Sequence, residues 1–195
     1  PMLDEIVKMT ELDLKTIDAI AVAKGPGSFT GLRIGSATAK GLGLALDKPL
    51  VGIPTVEALA YNLYDVNGLI CPIMDARRKQ VYTGIYRYED HRLVTVKDQM
   101  AVGIEELLSM LNEMGETVTF LGDGVPVFKD IIADKLEVPF SFAPSHLSRQ
   151  RAGAVGALGI LYYKEGRTET AAEHKPDYLR VSQAERERAQ RLKKE

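Results

Sequence analysis

Cysteine is nearly absent from the 195 residues, and the single Cys71 excludes an internal disulfide. It lies in the apolar stretch Leu69-Ile70-Cys71-Pro72-Ile73, where it reads as a small buried hydrophobe rather than a nucleophile. A reducing, cytoplasmic compartment fits. Histidine is scarce as well. His91, His146 and His174 have no ligand partner three or four residues away, so no metal set is expected and each reads as a surface or loop residue. No apolar run reaches the ~18 residues of a membrane span, and no signal-like start is present. Pro1 stands in place of an initiator Met, and the natural polypeptide is expected to begin earlier. Basic residues are not in excess either: 25 Lys and Arg against 27 Asp and Glu give a net charge of -2. A free-standing nucleic-acid binder needs a cationic surplus to displace counterions, so that class is disfavoured. Local basic clusters remain at Arg77-Arg78-Lys79 and from Arg186 to Lys194. The second alternates signs and reads as a solvated helical or disordered end rather than an RNA-binding arm.

What is present is the composition of an ordinary globular chain, 45% hydrophobic and 27% charged, with 17 Gly and 9 Pro. Met2, Leu3, Ile6, Val7 and Met9 share one face of an opening helix. A strand over Asp18 to Lys24 leads through Gly-Pro-Gly-Ser into a helix from Phe29 to Leu46, closed by Asp47-Lys48-Pro49. A buried strand follows at Leu50 to Ile53, then a helix from Pro54-Thr55 through Tyr64. This alternation implies a parallel, covered sheet. From Asn67-Gly68 the pattern changes. A hairpin pairs Leu69 to Met74 with Gln80 to Tyr88, and a third strand covers Leu93 to Lys97. Then come a helix at Ile104 to Met114, a strand at Thr117 to Leu121, and a helix at Val127 to Lys135. A short strand near Phe140 precedes a last helix from Leu147 to Lys164. The first part repeats only the later half of the second, as if three opening strands were removed. The expectation is a duplicated α/β lobe: 1–66 an incomplete N-terminal lobe, 67–180 a C-terminal lobe, 181–195 a charged tail.

Gly25-Pro26-Gly27-Ser28-Phe29-Thr30-Gly31, between a strand and a helix, is the most informative segment. Backbone N–H groups at such a helix start can hold an anion or nucleotide, which makes Gly25, Gly27, Ser28 and Thr30 candidate contacts. The loop lacks the Gly-Lys-Ser/Thr of a Walker motif and misses the dinucleotide spacing by one residue. Ser28 is no hydrolase elbow, because Gly would be needed at 26 and 30. The plainer reading is a tight turn with Ser28 or Thr30 as N-cap. Asp75 and Asp123 follow strands, but with no His or clustered acid they make a poor acid–base pair.

On a helical wheel, Gly31, Gly35, Ala39 and Gly43 form a ladder flanked by Leu32, Leu42 and Leu46. Only Arg33, Ser36 and Lys40 make a polar stripe. So wide an apolar girth is buried on more than one side. Interior glycines lose about 0.8–1 kcal/mol each against alanine, a loss that close helix approach can offset. The ladder either lets the helix sit tightly on its own sheet or meets a partner. The second alternative makes Gly31, Leu32, Gly35, Ala39, Leu42 and Gly43, with Met2, Leu3, Ile6 and Val7, a helical interface for homodimers.

The run Ile20-Ala-Val-Ala-Lys-Gly-Pro-Gly-Ser-Phe-Thr-Gly-Leu-Arg-Ile-Gly35, continuing to Ala39-Lys40-Gly41-Leu42, closely resembles the signature of the TsaB family, also called YeaZ. Met74-Asp75-Ala76-Arg77-Arg78-Lys79-Gln80-Val81-Tyr82 and Pro176-Asp177-Tyr178-Leu179-Arg180 are similar to that family's other marks. The resemblance implies a duplicated ribonuclease-H-like, actin/Hsp70-like (ASKHA) fold. It also implies a role without a cofactor in bacterial threonylcarbamoyl-adenosine synthesis on tRNA. The chain would be a non-catalytic subunit pairing with the catalytic paralogue TsaD, joined by the ATPase TsaE, and would meet tRNA only through the complex. The family's opening strand with Asp-Thr-Ser and two further strands have no match here, nor has the His-x-x-x-His metal pair of TsaD. A small ATP-dependent kinase or hydrolase of the same fold is the alternative.

Overall fold

A computed structural model describes residues 2–179. The charged segment 181–195 and Arg180 lie outside the described residues. Helix α1 (Met2–Thr10) opens the chain and buries none of its residues. Strand β1 (Ile20–Gly25) pairs in parallel with β2 (Leu50–Pro54), joined by α2 (Phe29–Leu46). Side chains of β1 alternate between two covers, as the strand period requires. Ile20 and Val22 pack with Ala39 of α2, with Leu50 and with Ala171. Ala19 and Ala21 pack on the opposite side with Val51, Ile53, Leu158 and Tyr162. Among the described residues the other edge of β1 carries no strand.

The second sheet has the order β5-β4-β3-β6-β7. Its strands are β3 (Leu69–Asp75), β4 (Gln80–Glu89), β5 (Arg92–Gly103), β6 (Val118–Leu121) and β7 (Phe140–Phe142). The first three form an antiparallel meander, and β6 and β7 add in parallel. Helices α4 (Ile104–Met114) and α5 (Val125–Lys135) cover one face, where Cys71, Ile73, Leu107, Phe120 and Ile132 form the main core. The short α3 (Thr55–Ala60) covers the other, setting Val56 and Leu59 against Ile70, Met74 and Tyr86. Cover on both faces explains why β3 is apolar almost throughout. The parallel pair around α2 repeats the pair around α5, in line with the expected duplication.

The two sheets exchange helices. Helix α6 (Ala152–Lys164) follows the second sheet in sequence but packs on β1 and β2 of the first. Gly159 lets it approach so closely that an added Cβ would lie 2.6 Å from that of Ala21. Glu169 then pairs with Leu50 at the edge of β2, by two backbone hydrogen bonds of 2.8 and 2.9 Å.

Several boundaries differ from the sequence expectation. Helix α3 stops at Ala60 instead of Tyr64. Strand β5 runs to Gly103 instead of Lys97, held to β4 across register shifts. Helix α6 begins at Ala152 instead of Leu147, because Asn62 Nδ2 donates to the carbonyls of Leu147 (3.0 Å) and Arg149 (2.8 Å) and holds that stretch outside the helix.

Candidate functional site

The glycine loop is bracketed by the chain's own later residues. Gly25 ends β1 with φ at +122°, where an added Cβ would lie 2.4 Å from the carbonyl oxygen of Asp177. Asp177 N–H donates to the Lys24 carbonyl at 2.6 Å, and the Asp177 carboxylate accepts from Gln99 of β5 at 2.6 Å. Tyr178 stacks on Phe29 with ring centroids 5.0 Å apart, and its hydroxyl accepts from Arg33 Nε at 3.4 Å. Residues 177–178 thus tie the loop of the first sheet to the outer strand of the second. The quoted marks Gly25–Gly31 and Pro176–Leu179 are one contact in space, which the sequence could not show.

Ser28 is the N-cap of α2, its hydroxyl accepting from Gly31 N–H at 3.4 Å, as the plainer reading of the loop expected. Gly27 and Ser28 line a cavity of about 590 Å³ with Thr55, Met74 and Arg151, whereas Gly25 and Thr30 lie outside it. The buried Thr55 Oγ1 has no hydrogen-bond partner there among the described residues.

In the second lobe, Asp75 and Asp123 are committed to backbone geometry. Asp123 Oδ1 accepts from Asp75 N–H at 3.2 Å, and Asp75 Oδ1 accepts from Arg77 N–H at 2.8 Å. Burial pushes the Cys71 thiol up to about 12, partly countered by its contact with Thr83, which suits the structural role expected of it. His91 pairs with Asp65 at 2.7 Å on the surface. His174 corrects the expectation: it is fully buried, with Nδ1 2.8 Å from Glu169, because the returning segment folds over β2. No group of three or more His, Cys, Asp or Glu side chains is placed to hold a metal ion among the described residues. No helix among them is long and apolar enough to cross a membrane.

The ladder on α2 divides between its two alternatives. Ala39 and Gly43 are buried against their own sheet, Ala39 beside Leu50, and a Cβ added at Gly43 would lie 3.1 Å from the Leu50 side chain. Leu32 folds under the glycine loop. Gly35 has open space where a side chain would stand, Gly31 is exposed, and Leu42 is half-buried. Ser36 corrects the polar stripe, being 6% exposed. The outward face is instead Ile34, Ala37, Thr38, Gly41, Leu44 and Ala45, with Ile34 at 63% and Leu44 at 75% exposure. On α1, Met2, Leu3, Ile6 and Met9 are exposed and Val7 is half-buried. Ala39→Leu is therefore expected to overpack the α2–β2 contact and lower stability by about 1–3 kcal/mol, without changing association. A melting curve with light scattering checks it, and an unchanged melting point would overturn the assignment.

Residues 1–188 match the family model described as TsaD, tRNA N6-adenosine threonylcarbamoyltransferase. A tRNA threonylcarbamoyladenosine biosynthesis protein TsaB from Bacillus subtilis (strain 168) is 36% identical over 185 residues, 95% of this chain and 79% of the relative. The protein of the same name from Escherichia coli (strain K12) is 29% identical over 184 residues, 92% of this chain and 78% of its own length. The solved structure of YeaZ from Pseudomonas aeruginosa superposes with a TM-score of 0.75 at 22% identity, covering 92% of this chain and 81% of that one. The matching fold and the near-complete alignments agree with the motifs at Gly25–Gly31 and Pro176–Leu179, and the chain belongs to the TsaB family of tRNA threonylcarbamoyladenosine biosynthesis proteins.

Proposed function

We propose that this chain is a non-catalytic assembly subunit of the bacterial tRNA threonylcarbamoyladenosine-forming complex, pairing through α1 and α2 with a TsaD-like catalytic paralogue. The observation that carries the reading is the outward apolar face of α2, Ile34 and Leu44, in a chain whose α1 leaves Met2, Ile6 and Met9 open as well. Large apolar side chains left exposed together on one helix face mark an association site. In isolation the same surface supports a homodimer. A TsaE-like ATPase joins the complex, tRNA is met through the assembly, and the chain takes no cofactor of its own in the cytoplasm. Asp75 and Asp123 each accept a backbone N–H with one carboxylate oxygen, and Asp75 also faces Arg77, which supports a non-catalytic role.

Reconstitution tests this directly. A TsaD-like protein, the activated threonylcarbamoyl adenylate and tRNA are expected to give modified tRNA only when this chain is added. Transfer by this chain without the TsaD-like protein would overturn the reading. Saturable ATP and Mg²⁺ binding with phosphate release by the chain alone would replace it with a kinase or hydrolase on the same fold.

A further inference from the structure

A second cleft, away from the glycine loop and from the outward face of α2, combines three recognition chemistries. It opens between the start of α3, the β4–β5 hairpin and the C-terminal half of α6, and encloses about 770 Å³. That volume is within the ~300–1,000 Å³ range of small-molecule sites. Tyr61 and Tyr64 supply aromatic walls, while Tyr162 is only 5% exposed and offers the cleft little of its ring. Glu57 is half-buried on the lining, and one carboxylate oxygen accepts from the Tyr162 hydroxyl at 2.6 Å. It makes no ion pair among the described residues, and burial holds its carboxyl above the ordinary range despite the Tyr162 hydrogen bond and the Arg167 and Lys24 charges. A half-buried acid with no ion pair, whose side-chain partner is a single hydroxyl, keeps acceptor capacity for a donor from outside. The rim carries Arg92 and Lys164, neither of them in an ion pair among the described residues, and Arg167, whose guanidinium lies 3.2 Å from the centroid of the Tyr162 ring.

Glu57, with Asp98 and the Arg167-paired Glu165 on the same lining, argues against a simple anion, and the rim cations argue against a simple cation. A flat ligand with an N–H edge and an anionic tail satisfies all three features. We propose that this cleft binds a guanine nucleotide, free or as one unstacked residue of an RNA, with its base on Tyr61 and Tyr64, its N1–H and 2-amino edge on Glu57 and its phosphate on Arg92 and Lys164. Stacking on tyrosine and arginine with hydrogen bonding along the Watson–Crick edge is how unstacked bases are read. Adenine places an acceptor where guanine has N1–H, so Glu57 discriminates between them.

Calorimetric titration of the full chain with GMP, AMP, UMP and guanosine tests the site, alongside short G-containing single-stranded and duplex RNA. GMP or the single strand is expected to bind saturably, at least about tenfold more tightly than its adenine or uracil counterpart. Binding of GMP assigns the free nucleotide, and binding of the single strand alone assigns RNA. Glu57→Gln keeps an acceptor for Tyr162 and is expected to lose about tenfold for guanine, and Arg92→Ala to bring GMP towards guanosine. Should Glu57→Gln melt early, the guanine–adenine–uracil ranking on the unmodified chain still decides. No saturable binding by any nucleotide or RNA overturns the proposal, as does equal affinity for the bases. Binding of agmatine without nucleotide binding would make the cleft a cation cage instead.

Discussion

Gly122→Ala is expected to unfold much of the second lobe, at a loss of about 2–6 kcal/mol. Gly122 follows β6 with φ at +110°, and an added Cβ would lie 2.1 Å from the Ile73 carbonyl oxygen. That oxygen accepts the Gly124 N–H at 3.0 Å, so it is held by the start of α5 and by β3 and cannot move aside. Backbone strain of ~1–3 kcal/mol adds to overpacking of ~1–3 kcal/mol. Gly35→Ala is the control with the opposite sign. Its Cβ would meet nothing within 4 Å, and a helical alanine gains about 0.8–1 kcal/mol. Urea denaturation of the two variants measures both, and a Gly122→Ala curve matching the parent would show that the turn is built differently.

The second large effect concerns association. Ile34→Glu combined with Leu44→Glu is expected to leave the fold within about 0.5 kcal/mol of the parent, because both side chains face outward. Association should fall by about 30-fold or more, the loss that marks a hot spot at the centre of an interface. The readouts are light scattering of the purified chain and threonylcarbamoyl transfer in the reconstituted mixture. Persistence of dimer and activity in the double variant would remove α2 from the interface.

The elements bounded by strong local chemistry were readable from the sequence. Ser28 caps α2, and Asp47 and Gly115 end α2 and α4 in left-handed conformations, so both helices fall where the pattern puts them. Where tertiary contacts decide, the sequence misled. Asp98 and Gln99 break the apolar alternation of β5, yet pairing to β4 carries the strand past them. Asn62 and the carbonyls it clamps lie 85 and 87 residues apart, beyond any local signal for the start of α6. Periodicity placed the small-residue ladder on one face of α2, but what that face meets is set by Leu50 and Ala171. The tie between Asp177 and the glycine loop has no local trace at all, and nothing in the spacing of Glu57, Tyr162 and Arg167 announced their cleft.

The exchange of helices between the sheets fixes an order of maturation during synthesis. Strand β1 ends at Gly25, while the helix covering its inner face begins at Ala152. The second sheet, with α4 and α5, is contiguous from Leu69 to Phe142 and can close its main core as soon as it leaves the ribosome. The first sheet waits with Val51 and Ile53 uncovered until Leu158 and Tyr162 arrive. Residues 177–178 then fasten the glycine loop, so a segment made before the whole second sheet is sealed only after it.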